Sequence, residues 1–165
     1  MIVLGIDPGT ASTGFGVVCG AGSRLELLET GVVQTHPGFP LASRLAEIHA
    51  RVGELIDRHS VDALAIEELY FGVNVRTAFA VGQARGVVLL AAGQRELPSR
   101  SYTPQQVKGA VCGHGHAAKH QVASMVTRLL GVATPLSEHA ADALAVAICD
   151  LNRAPLAAAL AGAAG

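Results

Sequence analysis

The chain has 165 residues, of which 50% are hydrophobic, 15% charged and 4% aromatic, and its formal net charge is −1. This length suits one domain with its own core, and the apolar content excludes an intrinsically disordered chain. Its longest uncharged run, residues 8–23, is too short and too rich in glycine to be a transmembrane helix. Three widely spaced cysteines (Cys19, Cys112 and Cys149) and the lack of a recognisable signal sequence predict a cytoplasmic protein with free thiols.

Basic residues are concentrated in the middle of the chain. Residues 70–137 contain seven Lys or Arg residues and one acid, Glu96, so this segment carries +6 while the remainder carries −7. The seven are Arg76, Arg85, Arg95, Arg100, Lys108, Lys119 and Arg128. Such clustering is typical of a surface that binds a polyanion such as nucleic acid, although ordinary protein surfaces are also patchy.

The first third of the chain predicts three antiparallel strands. The apolar run 2–6 ends at an Asp-Pro-Gly turn signal at 7–9. Two further strands are predicted over 14–19 and 25–34, because runs rich in apolar residues are separated there by glycine-rich turns. Their short spacing favours a meander.

The remainder predicts helices alternating with two more strands. In chain order, the first four are a helix over 40–59, a strand over 63–67 that lies parallel to the first strand, a helix over 74–96 and a strand over 99–102. A helix that begins with a capping box at 103–106 follows and is broken at 112–116. The last two are a helix over 118–130 that ends at Gly131 and a final helix over 137–151. The pattern predicts an α/β fold: one domain over 1–153 with a five-stranded mixed sheet and helices on its faces. Residues 154–165 form an alanine-rich, low-complexity tail that we expect to be loose.

Two carboxylates end predicted strands. Asp7 follows the first strand, and Glu67 ends the fourth. If these strands are parallel neighbours, their carboxyl ends adjoin at a switch point, where open α/β sheets place active sites. Side-chain alternation groups Glu67 with Ala63 and Ala65 and directs Glu68 to the opposite face, which favours Glu67. For Asp7, an Asx-turn is the alternative role.

The last helix supplies two more candidate ligands. His139 and Asp142 are three residues apart and therefore share one helical face, and the alanines of this helix permit close approach to the sheet at Gly5. Oxygen-rich sites suit Mg²⁺ or Mn²⁺, and two such ions would support hydrolysis of a phosphodiester. Other roles remain open: His139 as a capping or surface residue, Asp142 as the partner of a cation, and Glu138 as the ligand in place of His139.

Six motifs, in order along the chain, resemble the RuvC family of crossover-junction endodeoxyribonucleases. They are Gly5-Ile-Asp7-Pro-Gly-Thr10 with Gly14-Phe-Gly16 after it, Ala65-Ile-Glu67, Gly82-Gln-Ala-Arg-Gly86, Gln106-Val-Lys108, Lys119-His-Gln-Val122 and His139-Ala-Ala-Asp142-Ala-Leu-Ala. The resemblance implies a ribonuclease-H-like fold, a homodimer, and symmetric nicking of Holliday junctions with two divalent ions per active site. It also implies the RuvA and RuvB branch-migration proteins as partners.

The same resemblance assigns roles to individual residues. Asp7, Glu67 and Asp142 coincide with the family's catalytic acids, whereas His139 stands where many members carry a carboxylate. The DNA-binding positions that it implies are Tyr70, an aromatic that intrudes at the junction, and two lysines near the scissile phosphate, Lys108 and Lys119. Arg76, in the basic segment, is predicted as a further DNA contact that acts mainly through counterion release. A strand-end packing role for Tyr70 and ordinary solvated lysines are the alternatives.

Three other functions deserve comparison with a nuclease. A sugar-kinase or actin-like ATPase shares the opening motif but needs two such domains, and this chain is long enough for one. A non-catalytic junction-binding module would use the basic segment while its acids were structural. A zinc site at Cys112, His114, His116 and His120 fits no common ligand spacing well.

Overall fold

The computed structural model describes residues 1–68 and 75–162, with the backbone alone described for 75–77 and 154–162. The described elements are β1 (Ile2–Asp7), β2 (Ser12–Ala21), β3 (Arg24–Gln34), α1 (Leu41–His59), β4 (Ala63–Glu67), α2 (Val75–Gly93), β5 (Ser99–Tyr102), α3 (Pro104–Cys112), α4 (Lys119–Leu130) and α5 (Glu138–Gly162). The predicted elements are all present, and most of their bounds agree to within a few residues.

The five strands form one mixed sheet in the order β3-β2-β1-β4-β5. β1 pairs antiparallel with β2 and parallel with β4, while β3 and β5 form the edges. The predicted meander and the predicted parallel pairing of β1 with β4 are both confirmed. Because β1 and β4 are parallel neighbours, their carboxyl ends lie at the same edge of the sheet.

Side-chain alternation in β1 divides the interior into two cores. Val3 belongs to a core on the side of the sheet covered by α3, α4 and α5, whereas Leu4 and Ile6 belong to the core on the side of α1 and α2. The first core admits α5 unusually close to the sheet, because a Cβ on Gly5 would collide with the backbone oxygen of Ala143. The small residues of β1 and α5 therefore let this helix lie directly on the sheet.

The helix ends follow local chemistry. Thr103 and Gln106 form the predicted capping box at the start of α3, and Gly131 adopts a left-handed conformation (φ 63°) after α4. Ser137 Oγ accepts a hydrogen bond from the Ala140 N–H at the start of α5. These caps fix the ends of the helices that carry the basic and acidic candidate residues.

The end of α5 differs from the prediction. We expected this helix to end near Leu151 and the following segment to be loose, but α5 continues to Gly162. Alanine has the highest intrinsic helix propensity, and the low-complexity segment is rich in it. Within the described residues, no helix is both long and apolar enough to cross a lipid bilayer.

Candidate active site

Two carboxylates meet at the carboxyl ends of the central parallel strands. β1 and β4 pair in register at Ile6 and Ile66, so Asp7 and Glu67 are the next residue of each strand. The turn after Asp7 is closed by Thr13, whose hydroxyl donates to the Gly9 carbonyl at 2.7 Å. The sheet thus places both carboxylates side by side, as the sequence predicts.

The first turns of α5 bring His139 and Asp142 to the same edge. Gly14 of β2 lies against His139, and a Cβ there would collide with the backbone oxygen of that residue. His139 Nδ1 lies 2.7 Å from Asp7 Oδ2. An ionised carboxylate only accepts hydrogen bonds, so Nδ1 is the donor, and in the neutral ring the Nε2 lone pair remains available to a metal.

Glu67 and Asp142 line a cleft with a volume of about 180 Å³. Two lysines, Lys108 and Lys119, line the same cleft. Lys119 Nζ lies 2.8 Å from Asp142 Oδ2 and also contacts Glu138. Burial alone would lower the pKa of Lys119, but hydrogen bonds to these two carboxylates raise it above its usual value. Lys119 is therefore a fixed positive charge in the cleft. Glu138 pairs with this lysine, while its neighbour His139 contacts Asp7.

The acids of the cleft repel one another. Burial, together with the charges of Asp142 and Asp7, raises the pKa of Glu67 to about 7. Burial also raises the pKa of Asp7, although its hydrogen bond with His139 acts in the opposite direction. Carboxylates that raise one another's pKa in this way favour a bound cation.

The donor set suits a divalent metal. Asp7, Glu67 and Asp142 offer the carboxylate oxygens that Mg²⁺ and Mn²⁺ prefer, and His139 offers an imidazole nitrogen, which suits Mn²⁺ better than Mg²⁺. In the described part of the chain, however, no three His, Cys, Asp or Glu side chains lie at metal-ligand spacing. Lys119 instead contacts Asp142, and His139 contacts Asp7 through Nδ1.

Arg85, which was not predicted as a site residue, holds Glu67 in place. Arg85 of α2 donates from Nη1 to the Glu67 backbone carbonyl at 2.8 Å and from Nη2 to Ser101 Oγ at 2.6 Å. Its place inside the Gly82–Gly86 motif was the available signal, but the motif does not indicate which strand end the guanidinium reaches.

Some predicted residues are not part of the described site. Tyr70 lies outside the described residues, as does the side chain of Arg76. Glu68 donates its backbone N–H to the Tyr102 carbonyl, and the cleft is lined by Glu67, as side-chain alternation predicts. The four candidate zinc ligands between 112 and 120 form no metal-binding group within the described residues.

A five-stranded mixed sheet of this order, with acids at its central strand ends and lysines beside them, defines a ribonuclease-H-like nuclease domain.

Comparison with known proteins identifies the family. The family model described as crossover junction endodeoxyribonuclease RuvC matches residues 3–150. The chain belongs to the RuvC family, which removes the ATPase alternative. The crossover junction endodeoxyribonuclease RuvC of Pelotomaculum thermopropionicum is 51% identical over 150 residues, covering 90% of this chain and 92% of that protein.

Two solved structures are similar to this chain in both fold and sequence. Thermus thermophilus RuvC superposes with a TM-score of 0.88 at 44% identity, covering 95% of this chain and 97% of that one. T. thermophilus RuvC in complex with Holliday junction substrate gives a TM-score of 0.90 at 43% identity, covering 95% and 96% of the two chains. The chain is thus a crossover junction endodeoxyribonuclease by both sequence and fold.

Proposed function

We propose that this chain resolves Holliday junctions by nicking two strands symmetrically, with Asp7, Glu67, His139 and Asp142 as its catalytic residues. The observation that supports this most strongly is that Glu67, Asp142 and two lysines line one cleft of a RuvC-family fold, at the sheet edge where Asp7 contacts His139. The related T. thermophilus structure holds a Holliday junction substrate, and the same substrate is proposed here.

The four catalytic residues would hold two Mg²⁺ or Mn²⁺ ions. When bound, the ions would supply activation of the attacking water and stabilisation of the charge on the leaving oxygen. Asp7 and Glu67 are held by the sheet, while His139 and Asp142 are held by α5, so the ligands come from two rigid elements. Their mutual repulsion is the reason that they would hold cations tightly.

Lys108 and Lys119 would stabilise charge on the scissile phosphate. Both line the cleft with Glu67, and Lys119 is fixed there by Asp142 and Glu138. A cation that is already oriented stabilises developing negative charge without reorganisation during the reaction. Tyr70 stays a proposed DNA contact on the family resemblance, and Arg76 stays one on its place in the basic segment.

The proposed active form is a homodimer, because two equivalent nicks require two equivalent sites. Phe79 and Leu90 of α2 are 68% and 53% exposed. They lie about three helical turns apart and so share one face, and Gly86 between them has open space beside it. This apolar face of α2 is the proposed contact between subunits.

We also infer a cytoplasmic location and, from the family resemblance, partnership with the RuvA and RuvB branch-migration proteins. The three free cysteines support a reducing compartment.

A cleavage assay tests the proposed function. Purified protein is mixed with a synthetic four-way junction, labelled in turn on each strand, with Mg²⁺ or Mn²⁺ added separately. Paired nicks at symmetric positions on two strands are expected, together with no cutting of a linear duplex of the same sequence. Binding of the junction without any nick in either metal would support the non-catalytic module instead.

A further inference from the structure

A buried carboxylate lies on α5 beyond the active site. Asp150 follows Asp142 by about two helical turns and has a fully buried side chain. Arg100 contacts both of its oxygens, with Nε 2.6 Å from Oδ1 and Nη2 3.0 Å from Oδ2. The Tyr102 hydroxyl donates to Oδ1 at 2.7 Å. Charge-assisted bonds of this kind are short, directional and strong.

Both partners of Asp150 lie on β5, which is a sheet edge of only four residues. A short edge strand has few backbone hydrogen bonds to define its position. Asp150 adds three side-chain bonds that join β5 to α5, the helix that also carries Asp142 and His139.

The end of β5 connects the strand that carries Glu67 with the helix that carries Lys108. Tyr102 pairs with Glu67 in the parallel register, and its carbonyl accepts the Glu68 N–H at 2.8 Å. The next residue, Thr103, is the N-cap of α3, and this helix carries Lys108 into the cleft. A shift of Tyr102 would therefore move Lys108 relative to Glu67.

Arg100 and Tyr102, the two partners of Asp150, have different roles. The Arg100 guanidinium already balances the buried negative charge, and it does so through a bidentate contact. The Tyr102 hydroxyl adds no charge, but it anchors the last residue of β5 from the inside. The Tyr102 hydroxyl therefore acts directly on the backbone at the start of α3.

We propose that Asp150, through the Tyr102 hydroxyl, is a positioning residue for junction cleavage: it fixes β5 and α3 so that Lys108 is aligned with Glu67 and Asp142. The inference rests on the proposed function, because it assigns the alignment of Lys108 a catalytic consequence.

The variant Tyr102→Phe tests it, since it retains the buried ring and removes only the hydroxyl. The readouts are the single-turnover rate of nicking on pre-bound junction and the junction dissociation constant. Misplacement of a catalytic group is expected to slow nicking about tenfold while junction affinity changes less than about twofold. In a Lys108→Ala background the same substitution is expected to change the rate less than about twofold, because the group that it misplaces is absent.

A matched control is Asp57→Asn. Asp57 makes a similar two-point contact with Arg95, at 2.7 Å and 2.7 Å, but on the exposed surface of α1. This variant should nick at the wild-type rate.

Each other outcome has a distinct meaning. Equal slowing by Tyr102→Phe in both backgrounds, or no slowing at all, would overturn the positioning role. Nicking by Lys108→Ala alone at the wild-type rate would instead overturn the catalytic role of Lys108 in the proposed function. Asp150→Asn, assayed below its melting temperature, provides a second variant that must show the same dependence on Lys108.

Discussion

Burial and neighbouring charges change the acid–base chemistry of Glu67 in the site. Its pKa rises to about 7 because the side chain is largely buried and faces the carboxylates of Asp142 and Asp7. A proton therefore binds more tightly to the folded than to the unfolded state. The stability that this proton contributes is complete below about pH 4.5 and is lost as the pH rises towards 7.

In metal-free protein, Glu67→Gln should therefore increase stability at alkaline pH. A shift of this size corresponds to about 3 kcal/mol for a fully buried group, and the solvent exposure of the cleft reduces the expected gain to about 1–2 kcal/mol at pH 8. At pH 5 the gain should be much smaller. Urea unfolding in EDTA at both pH values measures it, with the exposed Glu47→Gln as a control.

Added Mn²⁺ should reverse the order at pH 8, since the wild type has the additional ligand and gains more stability from the metal. A gain from Glu67→Gln that is the same at pH 5 and pH 8 would show that repulsion within the cleft is not its cause.

At the scale of elements, the position of α5 on the sheet sets the geometry of the site. Gly14 of β2 is in direct contact with the backbone of His139. Gly14→Ala should push the start of α5 away, reducing stability by about 1–3 kcal/mol and slowing cleavage as well. Gly109→Ala is the matched control, because Gly109 lies in α3 with open space around it. It should stabilise the protein by up to about 1 kcal/mol. Thermal unfolding of both variants shows whether the change in stability comes from the contact with His139 or from the replacement of glycine by alanine itself.

Local sequence signals predicted most of the elements because each depends on nearby residues. The capping box at Thr103 and the left-handed glycine after α4 are set by chemistry within a few residues. The same holds for the choice of Glu67 over Glu68, which follows from strand alternation. The end of α5 was missed because composition was taken as a sign of disorder, although alanine favours helix.

Contacts between distant segments could not be predicted in this way. Asp150 and Arg100 are fifty residues apart, and neither has a local pattern that indicates the other. The contact of Arg85 with the Glu67 carbonyl is similar. The group of Asp7, Glu67, His139 and Asp142 could be predicted because two members end neighbouring parallel strands and two share a face of one helix. The family resemblance supplied their catalytic roles, which stay a prediction.

At the scale of the whole molecule, the basic segment is less available to DNA than its charge suggests. Of its seven basic residues, Arg85, Arg95 and Arg100 are bonded to protein groups. Lys119 is also bonded, to Asp142 and Glu138, and it lies with Lys108 in the cleft. The charge count indicated the correct class of ligand, but the structure shows that part of this charge joins elements of the fold.

The proposed dimer predicts a clear effect of charge on α2. Leu90→Glu should convert the protein to a monomer, because a carboxylate would be buried in an apolar contact. Light scattering measures the mass, and Leu129→Glu on α4, where the leucine is 40% exposed, is the control. Monomeric wild-type protein that still makes paired nicks would contradict the symmetric arrangement.

In the proposed mechanism the acids of the site cut the junction, while other residues supply most of the affinity. The most direct measurement compares nicking and junction binding for Asp7→Asn and Glu67→Gln. Nicking in Mg²⁺ or Mn²⁺ should fall by about 10³-fold or more, as expected for the loss of several kcal/mol of charge stabilisation. The junction dissociation constant should stay close to that of the wild type. Loss of binding in parallel with nicking, or nicking that persists in both variants, would contradict this mechanism.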